Sequence, residues 1–218
     1  MEEVAMPTAE SKSRRRRVDG EASQQRILQA ATEIAAERGY EGTSINLVSE
    51  RSGLPASSIY WHFKDKDALI AAVIDHSFQS WLAKAGGQAT EGKAEGSVDD
   101  QLSAMMQSTA KALEESSDFL RLGLMLTLER REREPTARRR FLAVREEALE
   151  RTVASFARLF PGLDDHSLHQ LGSFTMAAAD GLFIANEIDE SDAFSGFELL
   201  AAAIHGAARH LLEGAGPA

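Results

Sequence analysis

Residues 52–69 read Ser52-Gly53-Leu54-Pro55-Ala56-Ser57-Ser58-Ile59-Tyr60-Trp61-His62-Phe63-Lys64-Asp65-Lys66-Asp67-Ala68-Leu69. Gly53 is what a tight interhelical turn needs, because glycine enters left-handed backbone at no steric cost. Pro55 suits a first helical turn, where its missing N–H is no loss, and the short helix it opens reaches Trp61. Asp65 is placed to cap a further helix from Lys66, with Leu69, Val73 and His76 on one face.

Working upstream, Ile27, Ala31, Ile34 and Ala35 recur at helical spacing between Ser23, a candidate N-cap, and Gly39, a stop. Thr43 or Ser44 can cap a second helix that runs through Arg51. Residues 1–20 are polar, carry the run Arg14–Arg17 and lack apolar periodicity, so they read as a mobile arm. Downstream, residues 85–98 hold four glycines among polar residues and read as a loop. Helical segments follow at 99–116, 118–131, 136–160, 166–187 and 194–213, and no alternating strand pattern or internal repeat competes. The expected fold class is all-α with about nine helices: a three-helix helix-turn-helix head, then a C-terminal helical ligand-binding and dimerisation domain. The expected domains are a flexible basic arm at 1–20, the head at 21–70 and the helical domain at 71–218.

The net charge of −10 is unevenly spread over the 218 residues: residues 11–72 carry +2 and residues 73–218 carry −9. Such asymmetry would let a weakly basic head meet phosphates while an acidic body is held away from them; an incidental acidic surface explains it as well. The absence of cysteine excludes disulfides, thiolate metal sites and cysteine nucleophiles. No window approaches the ~18 uninterrupted apolar residues of a membrane span, so the expectation is a soluble, cytoplasmic protein with no membrane partner.

In a helix-turn-helix, the second helix lies in a major groove about 12 Å wide, where base edges are exposed. Topology alone also fits a helical adaptor that binds proteins. The residue identities say more. Gly39-Tyr40-Glu41-Gly42-Thr43-Ser44, Ser52-Gly53-Leu54 and the pattern of Tyr60, His62, Phe63, Lys66 and Leu69 together resemble the DNA-binding head of the TetR family of bacterial repressors. The resemblance implies phosphate contacts by Thr43, Ser44, Tyr60 and His62, with Lys66 and the first turn of its helix clamping a further phosphate. It implies base, sugar or methyl contacts by Ala56, Ser57, Ser58 and Trp61, and a head core of Val48, Ile59, Phe63 and Leu69. Ser49 and Ser52 depart from the family's usual Ala, and Ser57 from its frequent Gly.

Between Pro55 and Trp61 there is no Arg, Lys, Asn or Gln, so bidentate contacts to guanine or adenine cannot come from this helix. Sequence would be read through thymine methyls, hydroxyls, water and DNA shape. That deficit suggests a task for Arg14–Arg17: entering or tracking a minor groove, against the alternative of a solvated tail.

Segment 168–188 is apolar on two faces, one with Leu168, Leu171, Thr175, Ala178, Leu182 and Ala185, the other with Phe174, Ala177, Gly181, Ile184 and Ile188. Segment 194–213 adds Phe197, Leu200, Ala201, Ile204, Ala208 and Leu211. These two helices are expected to form a four-helix homodimer interface through Leu171, Ala178, Leu182, Leu200, Ile204, Ala208 and Leu211. Two heads would then meet a palindromic site on double-stranded DNA. Met105, Met106, Phe119, Leu122, Met125, Leu126, Phe141, Phe156 and Phe174 are candidates for lining an apolar pocket, or else ordinary core. The family resemblance implies a small-molecule inducer, of no stated class. No catalytic residue, cofactor or metal is expected; the rival reading places a metal on Asp164, Asp165, His166 and His169.

Overall fold

The computed structural model describes residues 9–86, 96–116, 118–128, 135–189 and 193–214, and among these it holds nine α-helices and no strand. α1 (Ala9–Gly42) buries Ile27, Ala30, Ala31, Ile34 and Ala35, the stripe its helical period predicts. Its start corrects the expectation of an arm, because the helix already runs from Ala9 through the arginine run. Residues 9–19 contain no Gly or Pro and are rich in Ala, Glu, Lys and Arg, which lose little on entering a helix. Ser23 is correspondingly no N-cap; its hydroxyl donates back to the Asp19 carbonyl at 2.8 Å. Residues 1–8 of the expected arm lie outside the described residues.

At the other end, Gly39 has φ 67° and ψ −171°, and α1 kinks there before its last residues. The Thr43 hydroxyl donates to the freed Gly39 carbonyl at 2.8 Å. α2 (Ile45–Ser52) opens on Ser44, whose hydroxyl accepts from the Leu47 N–H at 3.3 Å, so Ser44 rather than Thr43 is the cap.

α2 stops at Gly53, which takes the left-handed conformation (φ 66°, ψ 21°). Around it the turn is tied by hydroxyls: Ser49 Oγ donates to the Leu54 carbonyl at 2.7 Å, and the Leu54 N–H donates to Ser52 Oγ at 3.3 Å. Arg26 of α1 donates to the Ser52 carbonyl at 2.6 Å, closing the end of α2 from outside. The serines at 49 and 52 therefore fasten the turn, which alanine could not do. Ser49→Ala should lower unfolding stability by about 1 kcal/mol, read in a urea titration; a change below about 0.3 kcal/mol would show the hydroxyl idle. Pro55 sits one residue ahead of α3 (Ala56–His62), at its N-cap with extended ψ. Ile59 and Phe63, four residues apart, are buried with Val48 and Leu69 as expected.

α4 (Lys66–Gly86) is capped by the Asp65 carboxylate, which accepts from the Ala68 N–H at 2.8 Å. α5 (Val98–Glu115) starts on a reciprocal cap between Ser97 and Asp100. α6 is Asp118–Leu128, α7 Thr136–Leu159, α8 Asp165–Asp189 and α9 Ala193–Gly214. The chain groups into two units: one takes the described parts of 1–76 and 118–140, the other those of 77–117 and 141–218. The head thus shares its unit with α6 and the first turn of α7, where a single cut near residue 70 was expected. In that unit α6 packs on α1, and Asp67 accepts the Thr136 and Ala137 N–H groups at 2.6 and 3.0 Å, capping α7 across the fold. Arg140 pairs with Asp75 in the same unit. In the other unit α9 packs against α5 and α8 over a core that includes Phe141, Phe156, Phe197 and Ile204.

Candidate nucleic-acid interface

Ser57, Tyr60 and Trp61 stand at i, i+3 and i+4 of α3 and therefore share a face. All three are exposed, Tyr60 at 56% and Trp61 at 77%, while Ile59, at 0%, anchors the opposite side. Leaving a Tyr and a Trp in water gains nothing for folding, since burying either would be worth more. Ala56 and Ser58 are half-buried at the margins of this face. Ser44 is exposed; its oxygen is taken up in capping α2, which leaves the hydroxyl proton to donate outward.

The remaining expected contacts need correction or refinement. Thr43 is 1% exposed and its hydroxyl serves Gly39, so its side chain cannot reach a phosphate. Lys66 is half-buried: its Nζ donates to the Tyr40 carbonyl at 3.1 Å, lies 3.6 Å from the Glu41 carboxylate and sits 4.3 Å from the Tyr40 ring centre. Its ammonium closes the C-terminal end of α1, as a cation at the negative end of a helix should. His62 is half-buried, with its ring edge-on to Trp61 at 4.6 Å. Burial lowers its pKa, so the imidazole is neutral at pH 7 and presents a hydrogen bond, not a charge.

One neighbour of the face was not read from sequence. The Trp61 ring lies beside the backbone of α1 at Gly20, where an added Cβ would stand 3.8 Å from Cζ3. The signal is the lack of any Gly or Pro over residues 9–19, in a stretch whose low hydrophobicity gives no apolar periodicity.

Residues 27–73 match the family described as bacterial regulatory proteins, tetR family. Over that stretch the head is similar to the tetR family. Over 50 residues the chain is 48% identical to an HTH-type transcriptional repressor of Mycobacterium tuberculosis, covering 23% of this chain and 27% of that protein. It is 31% identical over 74 residues to the HTH-type transcriptional regulator TtgR of Pseudomonas putida, covering 33% of this chain and 35% of the relative. The matched stretch thus spans about a quarter to a third of these curated relatives. Among solved structures, a TetR-family transcriptional regulator from Streptomyces coelicolor superposes with a TM-score of 0.67 at 20% identity, covering 87% of this chain and 96% of that one. A transcriptional regulator from Aquifex aeolicus gives 0.64 at 19% identity, covering 84% and 98%. At such identities the likeness is one of fold, and the all-helical fold with an N-terminal helix-turn-helix is shared.

Behind the head, the expected dimer residues divide by burial. Leu171, Leu200, Ile204 and Ala208 are buried by their own chain, so they cannot offer a surface to a partner. Ala178, Leu182 and Leu211 are half-buried. The exposed apolar face of α8 is the other one, Phe174, Ala177, Gly181, Ile184 and Ile188, and on α9 Leu199 and Leu212 are exposed. Of the pocket candidates, Phe119, Leu122, Met125 and Leu126 belong to the unit that holds the head, and Met105, Met106, Phe141, Phe156 and Phe174 to the other. Met125 and Phe174 are exposed, Met105 is half-buried, and the rest are core. Met125 lies over Gly39, its methyl 2.4 Å from where a Cβ there would be. At the rival metal cluster, the Asp164 carboxylate accepts the Ser167 N–H at 2.7 Å and caps α8; the Ser167 bonds hold its pKa below the usual value. Among the described residues no group of three or more metal-ligating side chains gathers, and no helix is long and apolar enough to cross a membrane.

Proposed function

We propose that this protein is a transcriptional repressor that lays α3 in the major groove of duplex DNA and is released from it by a small molecule. The exposed Ser57–Tyr60–Trp61 face on a tetR-family head carries this reading. A curated relative of the head is itself named a transcriptional repressor. Ser44, Tyr60 and the neutral His62 hydrogen-bond phosphates, while Ser57 and Trp61 face sugar, methyl and base edges. The protein works as a homodimer through the outer face of α8 and α9. Its support is the exposure of Ile188 at 73% and Leu199 at 72%, unfavourable for helices that pack in water unless covered. Two-fold symmetry then demands an inverted repeat with half-sites about 34–36 Å apart or a multiple of that. An inducer acts by binding better to a conformation whose heads do not fit that spacing.

Selection from a pool of random duplexes by the purified protein tests this directly. Enrichment of an inverted repeat is the expected result, and a folded dimer that enriches nothing refutes the reading. On the recovered duplex, Tyr60→Ala and Trp61→Ala should each weaken binding about tenfold, an effect of about 1.4 kcal/mol. Both side chains are more than half exposed, so thermal stability should stay within about 0.5 kcal/mol of the parent.

A further inference from the structure

A head that grips phosphate needs cations that are not already engaged within it, because release of counterions from the backbone supplies much of the affinity. Here most are engaged. Arg26 serves the Ser52 carbonyl at 2.6 Å, Arg51 bridges Glu33 and Glu37 at 3.3 and 3.2 Å, and Lys66 is held by Tyr40 and Glu41. Arg38 lies 4.0 Å from Glu37, and α3 contains no Lys or Arg at all. Lys64 is exposed between α3 and α4. The densest run of cations in the sequence is Arg14–Arg17, and α1 carries that run as helix without a break into Gly20. Gly20 is where α1 passes beside the Trp61 ring, at the outer end of α3.

We propose that the N-terminal extension of α1 is a helical clamp on the DNA phosphate backbone, kept in register with α3 by the seating of Trp61 against Gly20. This rests on the DNA-binding reading above and deepens it. Arg14–Arg17 lie about 4.5–9 Å along the helix axis from Gly20 and so from the Trp61 contact. As a helix the run is about 10–12 Å across, and a minor groove about 6 Å wide does not admit it. The expectation that a flexible arm enters the minor groove is therefore replaced by contact with phosphates along its rim. Phosphates carry no sequence information, so the clamp raises affinity for all duplexes alike and leaves selectivity to the head.

The test is the salt dependence of binding by the full chain, on both the selected duplex and a random-sequence duplex of equal length. Changing Arg14→Gln, Arg15→Gln, Arg16→Gln and Arg17→Gln together should flatten the slope of log K against log salt by about two to four, near 0.9 for each phosphate no longer neutralised, equally on both duplexes. Gly20→Pro keeps every charge but breaks the helix at the Trp61 contact and should flatten the slope in the same way. Gly20→Ala, whose Cβ would make ordinary contact at 3.8 Å, should leave it unchanged. A parent slope in the quadruple variant overturns the clamp; a parent slope in Gly20→Pro overturns its helical register and restores a flexible arm. If the unaltered protein binds neither duplex, the DNA-binding reading falls first and the clamp with it.

Discussion

Gly39→Val is expected to lower the stability of the 218-residue protein by about 3 kcal/mol, or roughly 6–12 °C in a thermal melt followed by circular dichroism. With φ 67° and ψ −171°, Gly39 occupies backbone space that is essentially reserved for glycine, and a β-branched side chain suffers most there. The kink also sets up the entry to the next helix: the carbonyl it releases accepts the buried Thr43 hydroxyl, and α2 is capped by Ser44 immediately after. A second component is steric, since the Met125 methyl stands 2.4 Å from the position of the new Cβ. Met125 is 45% exposed and ends in a flexible thioether, so it can swing aside at small cost. Adding Met125→Ala to Gly39→Val should accordingly restore little. Full restoration would show that crowding, and not the backbone, sets the cost.

Asp67→Ala is expected to cost about 2 kcal/mol, because it strips three donors of their acceptor at once. The carboxylate receives the Thr136 and Ala137 N–H groups and the Tyr40 hydroxyl, at 2.6, 3.0 and 3.4 Å. It thus ties the end of α1, the first turn of α4 and the start of α7 together. Burial pushes the Asp67 pKa up, but the hydrogen bonds from Ala137, Thr136 and Tyr40 together outweigh it and hold the carboxyl below its ordinary value. A carboxyl whose folded pKa is depressed stabilises fully above its unfolded pKa, near 3.9, and loses that contribution as the pH falls toward the folded value. The stability gap between parent and Asp67→Ala should therefore be constant near neutrality and shrink below about pH 4. A gap that stays constant through the acid range would assign the loss to packing alone.

How much of the fold and its site was legible in the sequence depended on whether the deciding interaction is local. Ser44, Gly53 and Asp65 each act within a few residues of themselves, and spacing placed all three correctly, apart from the choice between Thr43 and Ser44. That choice turns on the kink at Gly39, which points one hydroxyl inward and the other out. Lys66 lay in the recognised pattern, yet its partner is a carbonyl 26 residues earlier in the chain, beyond the reach of periodicity. The N-terminal start of α1 carries no apolar periodicity, because residues 9–19 are polar and form helix through propensity alone. On α8 both faces are apolar, and period alone cannot tell which one the chain covers itself; it covers Leu168 and Leu171 and leaves Phe174 and Ile188 in water.

The central claim, that the outer face of α3 meets DNA, is most directly tested by fluorescence. The chain has two tryptophans, Trp61 at 77% exposure on α3 and a half-buried Trp81 on α4. In a Trp81→Phe variant, which keeps an aromatic ring to stack on Phe78, all tryptophan emission reports Trp61. Titration with the selected duplex is predicted to quench that emission saturably, with a blue shift as water leaves the ring. Saturable DNA binding, seen independently by anisotropy of a labelled duplex, with Trp61 emission unchanged would contradict the account.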